Sequence, residues 1–234
     1  MTRHAIASAV VFLAGAGAGC GSAGARIPVD VPAARAPLAS DEVAREVGLL
    51  LSSDPRASRE AEAVLLSLDM DGRKALAEHA RKIPTEKDLR WRNVLDENGL
   101  LADLPVEERI DLLIWKVSRS EPVLVLKAQN GLLDIARKDP APLLARLKRP
   151  APGRDVIAVT LANAGLRPAV PALLDLYRTA PRPDERRAAA AALGRLAGEN
   201  LQPRAEGSPV ERERDAQLVE SWYRRLEASN DAKR

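Results

Sequence analysis

The sequence predicts an all-α protein, a stack of about five antiparallel helix pairs closed by a C-terminal helix. Three observations predict it. Apolar residues recur at i, i+3, i+4 and i+7 along most of the chain after residue 40, as in Val170, Leu173, Leu174 and Tyr177. Prolines and glycines interrupt these runs at helix length, and no segment alternates with period two over the length of a strand. The same apolar frame also recurs in several places, the mark of a repeat array.

The first element is not part of that stack. Arg3 is followed by residues 5–19 without a charged side chain and then by Cys20, the single cysteine among 234 residues. Basic start, short apolar run and small residues are the order of a secretory signal, too short to cross a bilayer as a helix. Gly17-Ala18-Gly19-Cys20 resembles the end of a bacterial lipoprotein signal, with glycine where leucine is usual and Leu13 further upstream. The resemblance implies that Cys20 becomes the lipidated first residue of an exported protein, anchored on the periplasmic or cell-surface side of a bacterial membrane. An ordinary secretory signal with an incidental cysteine is the other reading. Removing residues 1–19 takes away only Arg3 of the 36 basic residues, which leaves a net charge of about +2. That balance does not call for a nucleic-acid partner. One cysteine allows no internal disulfide, so stability has to come from packing.

Residues 20–39 are rich in Ala, Pro and Gly, and Pro28, Pro32 and Pro37 exclude a regular helix, which reads as a flexible tether. Ser40 then reads as the N-cap of a helix with the stripe Val43, Val47, Leu50 and Leu51. Further helices are expected over 55–68, over 72–83 ahead of Pro84, and from Thr85 and Asp88 through 98, stopped by Gly99. Next comes 106–118, whose Ile110, Leu113, Ile114 and Val117 form a core face, then 122–137, 140–147 behind Asp139, and 155–164. Within 166–200, Pro181 and Pro183 split two amphipathic helices, and Pro183, Asp184 and Glu185 suit a first helical turn. Small residues at 188–192 and Gly194 permit a close neighbour, and Gly198 is a C-terminal stop. After a polar loop, Ser208-Pro209-Val210-Glu211 forms a capping box, and Val219, Trp222, Tyr223 and Leu226 share one face of a final helix. The domain reading is therefore 40–200 for the repeats and 201–234 for the loop and capping helix.

Val170-Pro171-x-Leu173-Leu174, a Pro/Asp turn, and Arg187-x-Ala189-x-x-x-Leu193-Gly194 together resemble a HEAT repeat, with Glu185 where that family usually has an apolar residue. On the same frame, Pro183, Arg187, Ala189, Leu193 and Leu196 correspond to Pro55, Arg59, Ala61, Leu65 and Leu68. Pro122, Ala128, Leu132 and Ile135 fill the frame again with Leu126 in the arginine slot, and Ile157, Leu161 and Ala164 keep its apolar part. The resemblance covers most of the chain after the tether. It implies a right-handed α-solenoid that binds a protein or peptide on its repeat surface, noncatalytic and without a cofactor.

Candidate chemistry is sparse. His79 is the only histidine outside the signal, on an apolar stripe beside Leu76, Ala80 and Ile83, and general-base work needs a positioned partner that the pattern does not supply. One histidine and one cysteine cannot make a zinc site, so no metal is expected. Glu107-Glu108, Asp184-Glu185 and Glu211-Glu213 stand at helix starts, where the dipole accounts for them. Trp115 and Trp222 fall beside core stripes. Trp91 occupies a slot where the other copies have alanine, and it stands between Arg90 and Arg92, so these three residues are the candidate partner contact, or Trp91 is an irregular core plug. The expectation is a lipid-anchored, noncatalytic adaptor, not an enzyme. The alternative is an enzyme or accessory lyase on a helical-repeat frame of the kind found in bilin-lyase-type proteins and helical-repeat DNA glycosylases. Neither reading sets an oligomeric state.

Overall fold

The computed structural model describes residues 38–83, 88–101, 104–119, 121–198 and 201–231. The signal, Cys20, nearly all of the tether and Thr85 lie outside them. The described residues are all-α, with no strand among them. In order the helices are α1 (Ser40–Leu50), α2 (Pro55–Leu66), α3 (Met70–Ala80), α4 (Leu89–Glu97), α5 (Val106–Val117) and α6 (Pro122–Lys138). They continue with α7 (Ala141–Lys148), α8 (Arg154–Asn163), a 3-10 turn (Arg167–Ala169), α9 (Val170–Thr179), α10 (Pro183–Ala197) and α11 (Pro209–Asp231).

Among the described residues, side-chain caps set four of the starts. The first N–H groups of a helix lack intrahelical acceptors, and short acidic side chains supply them. Asp54 accepts from Arg56 N–H at 2.8 Å, Asp69 from Gly72 N–H at 2.8 Å, and Asp88 from Arg90 N–H at 2.8 Å. At α11 the capping box closes as expected, with Ser208 N–H donating to Glu211 Oε2 at 2.8 Å and Glu211 N–H to Ser208 Oγ at 3.3 Å. Two expectations need correction. Ser40 is the first residue of α1 instead of its cap; Ala39 takes the cap position, its N–H held by Glu42 Oε2 at 2.9 Å. Leu51 is not core, because α1 ends one residue earlier and leaves it 40% exposed.

The repeated frame places its residues equivalently. Pro55, Pro122 and Pro183 each open a helix. Ala61, Ala128 and Ala189 are all 0% exposed, as are Leu65, Leu132 and Leu193. The slot of Arg59 and Arg187 faces solvent, and Leu126, which occupies it in α6, is accordingly exposed. One stripe of small and aliphatic residues is thus buried three times in the same register.

Contacts skip along the chain. Besides chain neighbours such as α1 and α2, α5 and α6, or α9 and α10, close packing joins α5 to α7, α6 to α8, α7 to α9, α8 to α10 and α9 to α11. Among the described residues the most extensive contact is α8 against α10. Gly153, at φ +83°, precedes α8 and lies against Ile114 of α5, where a Cβ would collide with that side chain. Tyr177 is buried in α9 and its hydroxyl donates to the Arg204 carbonyl at 2.7 Å, which ties the loop after α10 to the core. Glu185 is 2% exposed, and both its oxygens accept from Arg154 of α8, at 2.6 and 3.4 Å. The helix dipole alone therefore does not account for this residue; it is half of a buried ion pair.

Candidate functional site

The apolar interior falls into two clusters. Val43, Val47, Leu50, Leu65, Leu76 and Trp91 belong to one, drawn from α1 to α4. The other runs from Ile110 and Leu113 of α5 through to Ala216 and Val219 of α11. Between them charged side chains carry much of the contact. Arg92 of α4 meets Glu108 of α5 at 2.8 Å, and Glu62 of α2 accepts from Arg119 at 2.9 Å and from Asn93 at 3.1 Å. Lys116 of α5, only 2% exposed, donates to Asp96 at 2.5 Å and Glu97 at 2.8 Å. Glu97 also accepts from Lys127 of α6 at 2.8 Å. A cation placed at the C-terminal turn of α4 also meets the negative end of that helix.

A cleft of about 530 Å³ opens beside this network, within the usual size range of ligand pockets. Its lining is mixed: the half-buried Leu101, Leu104 and Ile135 and the exposed Val106 supply the accessible apolar part, over the buried Leu112, Leu113 and Ala128. Asp96, Glu97, Lys116 and Lys127 gather at one end, and Arg109, Asp134 and Lys138 also line the cleft. Gly131 makes the close approach of α6 to α5 feasible, since a Cβ there would stand 3.0 Å from a Leu113 methyl. Burial pushes the Glu97 carboxyl up, but the hydrogen bonds and charges of Lys116 and Lys127 outweigh it and hold the group below the usual glutamate range. Glu97 in turn raises the Lys127 ammonium, chiefly through their hydrogen bond.

The sequence-predicted contact is dispersed. Trp91 is 0% exposed in the α1–α4 cluster, so it is a core plug and not a surface contact; its indole N–H has no acceptor among the described residues. Arg90 donates to Ser58 Oγ at 2.5 Å, and Arg92 is buried against Glu108. The physical reason is helical geometry, which sends three successive residues to three different faces. His79 is half-buried, with Nε2 3.3 Å from the Ser40 carbonyl. Trp115 is half-buried under the Arg119 guanidinium, 4.9 Å from the ring centre. Cys20 lies outside the described residues. Among the described residues no cluster of His, Cys, Asp or Glu has the makings of a metal site, and no helix is long and apolar enough to cross a membrane.

Sequence reasoning missed the cleft. The available signal was Lys116, which shares a helical face with Leu112 and Leu113; a cation in a core stripe needs a buried partner. No family model matches the chain, and no curated protein matches it at significant similarity.

Proposed function

We propose that this chain is a lipid-anchored, noncatalytic adaptor of a bacterial envelope, a HEAT-like helical-repeat protein that binds another protein or peptide. In this reading the helices form a right-handed solenoid of about five antiparallel pairs with α11 as the cap. The observation that carries it is the skipping contact pattern from α5 to α11, which stacked helix pairs generate, together with a recurring buried frame at Pro55, Pro122 and Pro183. The adaptor reading draws further support from the cleft, which combines accessible apolar side chains with a charged rim.

The anchor is tested by intact mass analysis of the N-terminal peptide from membranes expressing the full chain. A diacylglyceryl thioether on Cys20 is the expected result, and a bare thiol or cleavage elsewhere would remove the anchor from the proposal. The binding role is tested by in vivo cross-linking of the same membranes. One partner should be recovered with the full chain and lost, or recovered from a different fraction, with Cys20→Ala.

A further inference from the structure

The geometry points to the cleft between α5 and α6 as a docking slot for an acidic, amphipathic segment of the partner, an assignment that rests on the adaptor role. On α5, Val106, Arg109, Leu113 and Lys116 stand at i, i+3, i+7 and i+10, and on α6, Lys127, Gly131, Asp134 and Lys138 stand at i, i+4, i+7 and i+11. Both are single helical faces, and both line the same cleft. Lys116 and Lys127 meet at one end on Glu97, and Gly131 meets Leu113 midway. Arg109, seven residues from Lys116, and Lys138, eleven from Lys127, therefore lie about 10 to 16 Å along their helices from the Glu97 end.

The slot lies where the skipping pattern lapses. α6 packs closely on α8 and α8 on α10, whereas α4 does not cover α6 in that way and reaches it through the Glu97–Lys127 pair. The span of about 10 to 16 Å between the slot's lining residues is two to three helical turns, and Leu101, Leu104, Val106 and Ile135 offer apolar contact for one greasy face. The charge of the slot selects the rest. Lys116 and Lys127 are already engaged by carboxylates of α4, while Arg109 and Lys138 have no ion-pair partner among the described residues. Asp134 is the one lining carboxylate without a basic partner among the described residues, so at the end away from Glu97 the described basic side chains, Arg109 and Lys138, outnumber the acidic one. A segment with leucine-like side chains on one face and carboxylates at one end satisfies both features, and a basic segment satisfies only the first.

The test is fluorescence anisotropy with the full chain in detergent micelles. The probe is a labelled peptide of about 14 residues, with leucines on one helical face and glutamates at one end; its control carries lysines in place of the glutamates. The acidic peptide should bind, and the double charge reversal Arg109→Glu with Lys138→Glu should weaken it about tenfold while strengthening the basic control. Both positions are exposed, so the melt should fall by no more than a few degrees, the cost of a carboxylate at the C-terminal turn of α6. Failure of the acidic peptide to bind, equal binding of the two peptides, or indifference to the reversal would overturn the assignment. So would sedimentation showing that a second copy of the chain occupies this face. If the membrane partner is still cross-linked by the double-reversal variant, the cleft assignment fails and the adaptor role stands. Without any partner for the unaltered chain, the adaptor role itself fails.

Discussion

The α8–α10 contact and the α4–α5 contact are two solutions to joining neighbouring helices. In the first, Ile157, Ala158, Leu161 and Ala162 are buried with Ala189, Ala192 and Leu193 in one apolar cluster, and a single ion pair, Arg154–Glu185, stands at its edge. In the second, each helix faces a different apolar cluster, and Arg92–Glu108 and the Lys116 carboxylate pair hold the junction. Small residues let backbones approach until no space is left. Long charged side chains keep them apart, and an accessible cleft remains beside them. The C-terminal seam is thus closed by apolar packing, and open space remains at the junction.

The largest effect is expected where the apolar seam is broken. Leu193→Ala removes a fully buried side chain from it and should cost about 3 to 4 kcal/mol, read from chemical denaturation. A loss below about 1 kcal/mol would mean that the seam can collapse around the deletion and is not close-packed as described. Next is Glu185→Ala, which strands Arg154 in a buried position and should cost about 3 kcal/mol. The double variant Arg154→Met with Glu185→Leu should recover most of that loss, since the pair spends much of its attraction on desolvation. No recovery would show that Arg154 and Glu185 do more than neutralise each other.

At the junction the expected loss is smaller. Lys116→Met keeps chain length but leaves Asp96 without its cation and Glu97 with Lys127 alone, at a cost of about 2 kcal/mol because Asp96 and Glu97 keep contact with water. Hydrogen exchange should show α4 opening first while α8 and α10 keep their protection. Uniform opening of all helices would erase the distinction between the two contacts.

How far the sequence reaches follows the same division. Pro55, Ala61 and Leu65, with their counterparts in α6 and α10, were legible because burial on one stripe imposes helical periodicity within a few residues. The capping box at Ser208 was legible for the same local reason, whereas the expected opening at Thr85 and Asp88 did not single out Asp88 as the cap of a helix that starts at Leu89. Glu97 was not, because its partners stand 19 and 30 residues away, and nothing in local periodicity pairs them. Glu185 looked like an ordinary first-turn acid; its partner Arg154 stands 31 residues back, just before the expected start of α8. Trp91 was ambiguous in sequence because an indole in an alanine slot either points out or reshapes the core, and only packing decides between the two.

Acidification should produce the mildest and most selective effect, at Glu97. Its folded-state pKa is below the ordinary glutamate value of about 4.3, so its contribution is fully present above that value and is lost as pH falls through the lower folded one. Protonation removes the negative charge shared by Lys116 and Lys127, and α4 is then held to α5 and α6 by fewer charges. Glu213 and Asp215, which pair with Arg178 and Arg204, are depressed too, so α11 should also loosen in acid and α8 with α10 is the proper reference. Hydrogen exchange between pH 5 and pH 3 should therefore show α4 losing protection relative to α8 and α10. Glu97→Gln should flatten that acid response by making the junction weaker at neutral pH already. If α4 in this variant still loosens in acid as the unaltered chain does, another carboxylate controls the junction, and Asp96 on the same lysine is the next to replace.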